Sequence, residues 1–307
     1  MKLSIVSTLY KSQNSIEEFY QRICKACDAC NIDDFEIIFV NDGSPDNSLK
    51  LALSLHKKDS RIAIVDLSRN FGHHRAMMTG LKYASGDLVF LIDSDLEEQP
   101  EWLIDFKRVM DTEHSDTVYG ELKARRGNWF ERTTGNLYYK LFNAVSGLKL
   151  PQIATARLMS RRFVDALLSH QETEVIIGGL MYLTGFEQIP YPVHKVRLGK
   201  SNYSIAKRIV LVTDSIVSFS SLPLASIFYV GVGITMLSFI ALVYVLMSWA
   251  FSSHSLSGWT SLIISIWLLG GIMISFLGVI AIYLSKVFIE IKHRPQAIVR
   301  AFHSSKS

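Results

Sequence analysis

Two aspartates one residue apart, Asp93 and Asp95, close the apolar run of VFLIDSDLEEQP at residues 89–100, and two glutamates follow at once. Side chains two apart in an extended chain share a face, so these carboxylates point the same way and repel each other. A hard divalent cation, Mg²⁺ or Mn²⁺, would remove the repulsion and bridge to a diphosphate. The plainer alternative is a solvated acidic turn after a strand. A third carboxylate, Asp42, ends another apolar run, FEIIFVND.

The elements that must position these groups can be read from the alternation of apolar strands with helical segments. KLSIVSTLY, FEIIFVND, RIAIVDLS and DLVFLID read as four strands. Helices fall between them, from about Asn14 to Cys30, then over SPDNSLKLALSLHKK, which opens with a cap and a first-turn Pro, and over GHHRAMMTGLKYASG. Strand–helix–strand alternation with short connections gives an α/β fold with a parallel sheet and right-handed crossovers. Ligands of such sheets sit at the carboxyl ends of the strands. Asp42, Asp93 and Asp95 all fall on that edge.

The average composition, 49% hydrophobic and 20% charged with net charge +4, hides a split. No Asp, Glu, Lys or Arg occurs between Asp214 and Lys286. Two apolar runs lie there, about 222–251 and 258–285, joined by SSHSLS. Each exceeds the roughly 20 residues needed to cross a bilayer, and the short connection implies an antiparallel hairpin. A buried helical hairpin in a soluble protein is the alternative. Lys207 and Arg208 precede the first run, and Lys286, Lys292 and Arg294 follow the second, so the positive-inside rule puts both ends in the cytoplasm. The expected organisation is a cytoplasmic domain over 1–214, a transmembrane hairpin over 215–288 and a basic tail over 289–307. MKLSIVSTLYK has too short an uncharged stretch for a secretory h-region, and the start reads as cytosolic. Cys24, Cys27 and Cys30 are spaced as in some iron–sulfur motifs but lack a fourth ligand, so they read as packing residues on a helix.

These stretches together resemble family 2 glycosyltransferases of the GT-A fold, in the polyprenyl-phosphate branch of bactoprenol glucosyltransferases and dolichol-phosphate mannose synthases. SIVSTLYKSQNSI is similar to the first strand and loop, FVNDGSPDNS to the nucleobase-binding turn, and LSRNFGHHRAMM to the Arg-Asn-Phe-Gly segment. LIDSDLEEQPE is similar to the metal-binding stretch, ARLMSRR to the family's Arg-Leu-Met-Ser, and SFSSLPL to the point where the chain enters the membrane. The resemblance implies a UDP-sugar donor, held by Thr8, Tyr10, Asp42, Arg69 and Asp93, with Asp42 bonding the uracil. It implies Mg²⁺ or Mn²⁺ held by Asp95 together with Asp93, and Arg157 close to the phosphates. RLGKSNYS is similar to a loop near the acceptor, where Arg197, Lys200, Ser201 and Tyr203 would contact phosphate or lipid. Charge at the membrane surface is an equal account of Arg197 and Lys200.

The acceptor half departs from the family. Thr155 stands where relatives carry an acceptor-site Asp, and Thr173 and Gly178 stand where they often carry basic residues. The missing carboxylate does not exclude catalysis, because a phosphate monoester with a second pKa of about 6 is already an anionic nucleophile. The expected activity is metal-dependent transfer of a sugar from the nucleotide to polyprenyl phosphate, at the cytoplasmic face of a bacterial inner membrane. The product would serve cell-surface glycan or O-antigen assembly. A face of Phe130, Leu137, Tyr138, Leu141, Phe142 and Val145 would rest on the membrane surface or else belong to a core helix. Relatives imply a homo-oligomer, and no nucleic-acid partner is expected. The competing readings are a processive polysaccharide synthase and a membrane scaffold that kept a nucleotide fold.

Overall fold

The structure, a computed structural model, describes residues 1–122, 153–172, 177–195 and 258–305, with helical positions between Leu224 and Met247. Its strands are β1 (Leu3–Leu9), β2 (Phe35–Asn41), β3 (Ile62–Leu67), β4 (Leu88–Leu91), β5 (Thr117–Leu122), β6 (Ile153–Ser160), β7 (Gln188–Val193) and β8 (Val299–His303). They form one sheet in the order β7-β5-β6-β4-β1-β2-β3-β8. β1 to β4 are mutually parallel where they pair, whereas β6 runs antiparallel to both β4 and β5. All seven residues of β1 are buried, as a central parallel strand covered on both faces requires.

Alternation along β1 divides the core into two layers. Leu3, Ile5 and Leu9 pack with α1 (Ile16–Ala29), α2 (Ser48–Lys58) and α4 (Trp102–Glu113), through Phe19, Leu55 and Phe106 among others. Val6 faces the other way, towards α3 (His73–Tyr83), α5 (Arg161–Leu168) and α6 (Ile177–Leu183). α3 lies so close to the sheet that a Cβ on Gly80 would come within 2.5 Å of Val6 Cγ1. The chain order β2-β1-β4 makes the carboxyl end of β1 the point where successive crossovers diverge, and a crevice opens there. The cysteines behave as packing residues: all three are free, and burial pushes the Cys27 thiol up to about 12, far from a reactive thiolate.

The chain divides into two compact units, one of Met1–Tyr139, Leu148–Tyr203 and His293–Ser307, the other of Lys140–Gly147 and Ser204–Lys292. In the second, α7 (Trp259–Ile291) runs for 33 residues, and its segment Leu269–Ile291 is long and apolar enough to cross a membrane. The helix continues past the expected end of the span at 285, because the sequence from Ser285 to Ile291 contains charge but no helix breaker. The segment 289–307 is also more than a basic tail. It carries the last turn of α7 and then β8, which pairs antiparallel with β3 in the first unit's sheet.

Candidate active site

The pairing of β1 with β4 ends at Val6 and Leu91 and is extended by the Ile92 amide donating to the Val6 carbonyl at 3.1 Å. The next residue is Asp93. Between the two aspartates, buried Ser94 donates to the Thr8 carbonyl (2.8 Å) and lies 3.1 Å from Ser12 Oγ. The loop after β4 is thereby tied to the loop after β1. Leu96 takes a left-handed φ of 63°, and Asp95 accepts from the Glu97 amide at 2.9 Å, an Asx-type turn that leaves Asp95 at the surface.

Asp93 faces His73, the first residue of α3. His73 Nε2 lies 3.2 Å from Asp93 Oδ1, and Nδ1 lies 3.1 Å from Thr8 Oγ1. Burial opposes charge on both groups, but each outweighs that penalty for the other. The Asp93 carboxyl is held below its usual range and the imidazole above. Asp95 moves the opposite way: though open on its outer side, it is raised by desolvation against the crevice and by the Asp93 charge. Two carboxylates pushed apart in this manner are what a cation would relieve. Asp93 Oδ1 is also buried without an aligned hydrogen bond, so the donor set fits a divalent ion. Among the described residues no group of three His, Cys, Asp or Glu gathers to hold a metal alone. The remaining ligands would be water and phosphate oxygens, the usual arrangement for Mg²⁺.

Asp42, 3% exposed, builds the second wall. Its two carboxylate oxygens accept from the amides of Phe71 (2.7 Å) and Gly72 (3.1 Å), and its carbonyl accepts from Asn70 Nδ2 (3.1 Å). The turn after β2 is thus fastened to the Arg-Asn-Phe-Gly segment after β3. Gly43 has φ 58°, and a Cβ there would meet Asn70 N at 2.4 Å, so both conformation and contact require glycine. Each Asp42 oxygen keeps a second lone pair for a ligand. The guanidinium of Arg69 lies 4.2 Å over the Phe71 ring.

A set of buried and half-buried charges continues from the acidic loop. Glu98 is 0% exposed; its Oε1 accepts from the Thr155 amide at 2.7 Å and lies 3.4 Å from Lys195 Nζ, while Oε2 has no partner. Burial, then the charge of Asp93, push the Glu98 carboxyl up to about 7. Arg157, 3% exposed on β6, lies opposite Leu91 on one side and Tyr119 on the other. Its guanidinium sits 5.9 Å from the Tyr119 ring centre. Burial brings it down to about 10, opposed first by the charge of Glu98. Lys195 is raised because the surrounding carboxylates, Glu98 foremost, outweigh its desolvation.

Of the residues singled out from sequence, Thr8, Tyr10, Asp42, Asp93 and Asp95 line one cavity of about 320 Å³. Arg69 belongs to the loop that closes it, and Thr155 and Arg157 reach the same cluster from β6 through Glu98 and Asp93. Arg197, Lys200, Ser201 and Tyr203 lie outside the described residues, as do the 130–145 face and Thr173. Sequence reasoning missed His73, Glu98 and Lys195. The excess of acid in DSDLEE was a signal for Glu98; a histidine opening a helix and a lysine after a strand gave none.

The glycosyl transferase family 2 model matches residues 4–168, more than half of the chain. A protein named as a glycosyltransferase in Mycobacterium tuberculosis is 43% identical over 306 residues, covering 99% of this chain and 89% of the relative. The bactoprenol glucosyl transferase derived from prophage SfII in Shigella flexneri is 28% identical, covering 99% of both chains. Among solved structures, glucosyl-3-phosphoglycerate synthase from Mycobacterium tuberculosis, in complex with Mn²⁺, UDP and phosphoglyceric acid, superposes with a TM-score of 0.52. It is 20% identical, over 70% of this chain and 76% of that one, a likeness of fold. With the acidic crevice at the carboxyl edge of its parallel strands and a matching family model over those same strands, the chain belongs to glycosyl transferase family 2.

Proposed function

We propose that this protein transfers a sugar from a UDP-sugar to a polyprenyl phosphate, undecaprenyl phosphate in a bacterium, at the cytoplasmic face of the inner membrane, for cell-surface glycan assembly. The observation that carries the reading is the cavity in which Thr8, Tyr10, Asp42, Asp93 and Asp95 converge, in a chain that also holds a membrane-length apolar helix. The full-length similarity to a protein named bactoprenol glucosyl transferase supports the lipid acceptor. The Mn²⁺ and UDP named for the glucosyl-3-phosphoglycerate synthase structure support a metal-assisted nucleotide donor.

Chain connectivity supports two membrane crossings. The chain leaves the catalytic unit after Tyr203 and rejoins it at His293, and β8 is hydrogen-bonded into the same sheet as β1. A chain that starts and ends on one side of a membrane crosses it an even number of times. If α7 crosses once, the partner crossing must come from the apolar run 222–251. Cationic flanks assign the shared side to the cytoplasm.

In this reading the nucleotide lies across the carboxyl edge of β1 and β2, with Tyr10 and Asp42 at the base. Asp93 and Asp95 would hold the divalent ion, which supplies positive charge to the diphosphate as the leaving group separates. Arg157 adds a fixed cation in a water-poor place, where such charge acts most strongly. The acceptor phosphate attacks as a pre-formed anion, so Thr155 need not take a proton. Incubating the purified protein with a panel of UDP-sugars and undecaprenyl phosphate in detergent, and following lipid-linked sugar, tests the proposal. Turnover that proceeds equally well without the lipid phosphate counts against it.

A further inference from the structure

The strand that follows the apolar helix is wired to the turn that closes the donor cavity. β8 pairs with β3 through a register break: Asp66 lies opposite Ala301 and Leu67 opposite Val299, so Arg300 has no cross-strand residue. An extra residue of this kind is a β-bulge, which re-aims a side chain. Arg300 uses that freedom to donate from Nε to Asp66 Oδ2 at 2.8 Å and from Nη2 to Asp66 Oδ1 at 3.0 Å, a two-pronged guanidinium–carboxylate pair. Asp66 is 4% exposed and Asn41 is 2% exposed. Asn41 Nδ2 donates to the same Asp66 Oδ1 at 2.8 Å, while Asn41 Oδ1 accepts from the Ser44 amide at 3.2 Å. Ser44 Oγ in turn accepts from the Lys11 amide at 2.8 Å.

Each link fixes the next. An amide side chain can present oxygen or nitrogen in either direction, and Asn41 can offer oxygen to Ser44 only while Asp66 takes its nitrogen. Asp66 accepts at Oδ2 from Arg300 alone among the described residues. Ser44 closes the turn that holds Asp42, and Lys11 adjoins Tyr10, two residues that line the cavity. The residue leading into β8 makes a second attachment nearby, where the Ile298 carbonyl accepts from the Ser68 amide at 2.9 Å, just before the Arg69–Gly72 segment that Asp42 holds.

We propose that Arg300 is a positioning residue for donor binding: through Asp66 and Asn41 it sets the turn at Asp42–Ser44 and the adjoining Tyr10–Lys11 loop, so nucleotide affinity depends on the strand that returns after the apolar helix. The proposal rests on the UDP-sugar reading above. Its readout is nucleotide affinity, since the linked turn and loop carry Asp42 and Tyr10 of the donor cavity.

The test is the affinity of the full-length protein in detergent for UDP with Mn²⁺, measured by calorimetry beside thermal melting. Arg300→Gln is expected to weaken UDP binding about fivefold, the effect of roughly one ordering hydrogen bond, with kcat at saturating donor within about twofold of normal. Arg300→Lys, which keeps the charge without the fork, is expected to recover part of the loss. Asn41→Ala breaks the chain one link further in and leaves β8 untouched, so it serves even if Arg300→Gln folds poorly. It is expected to weaken UDP binding by a similar factor, and the double variant to bind no more weakly than either single variant. Unaltered UDP affinity in Arg300→Gln alongside a lowered melting temperature, or losses that simply add in the double variant, would overturn the proposal alone. Failure of the unaltered protein to bind UDP would overturn the UDP-sugar reading and this inference with it.

Discussion

Glu98→Gln isolates the charge buried beneath the acidic loop. Glutamine keeps an oxygen for the Thr155 amide, now 2.7 Å from Glu98 Oε1, and removes only the ionisation. The Glu98 carboxyl rises from 4.5 to about 7 on burial and through the charge of Asp93. A carboxyl raised on folding binds a proton more tightly in the folded chain, so its contribution to stability is fully present below about 4.5. That contribution is lost as pH rises through about 7. At roughly 1.4 kcal/mol per unit, the ionised form costs about 3 kcal/mol at pH 8. Glu98→Gln should therefore match the unaltered protein at pH 4–5 and exceed it at pH 8. The ceiling is about 3 kcal/mol, or about 6–12 °C in melting temperature for a domain of this size. Transfer should fall, because Arg157 and Lys195 lose their principal counter-charge. Melting curves at pH 5 and pH 8, beside turnover, provide the assay. A destabilisation of the same size at both pH values would refute the reasoning, since it would mean that the carboxylate is a net structural asset.

Other outcomes follow from the same geometry. Thr155→Ala keeps the backbone donor to Glu98 and should cost about tenfold or less in turnover, whereas Arg157→Ala, which removes the buried cation proposed to act on the phosphates, should cost a hundredfold or more; kcat measurements that reverse this order would show the roles misassigned. Gly43→Ala forces a side chain into Asn70 N at 2.4 Å with φ 58° and should destabilise the fold by about 1–3 kcal/mol, read from denaturant midpoints, while weakening UDP binding. A cysteine introduced at Ser255 should be labelled by an impermeant reagent only from the side opposite a reporter fused after Ser307; labelling from the same side would remove the two-crossing reading.

Much of the catalytic unit was legible because its strands announce themselves. IVSTL, IIFV, IAIV and LVFL are apolar runs bounded by turn residues, and each became a strand whose carboxyl end carries a polar residue of the crevice. β8 was not legible. VRAFH is short, half-exposed and basic, and it becomes a strand only because β3 offers an open edge 232 residues earlier in the chain, as the Val299–Leu67 pairing records. Such non-local pairing leaves no period in the sequence. The same holds for the site: Asp93 and Asp95 stand out as a short acidic motif. Buried Glu98 pairs with the partly exposed Lys195 from a segment far away in sequence, and no local pattern marks the two as partners. His73 shows a further case, since its meaning comes from Thr8 and Asp93 on other strands' ends.

The most direct measurement follows a radiolabelled UDP-sugar into lipid, with purified protein in liposomes containing undecaprenyl phosphate. The account predicts a single-sugar lipid product that forms with Mg²⁺ or Mn²⁺, disappears with EDTA, returns when metal is restored, and is absent from folded Asp95→Ala protein. Label accumulating in a growing polysaccharide, or an Asp95→Ala variant that makes the lipid product at the normal rate, would contradict it.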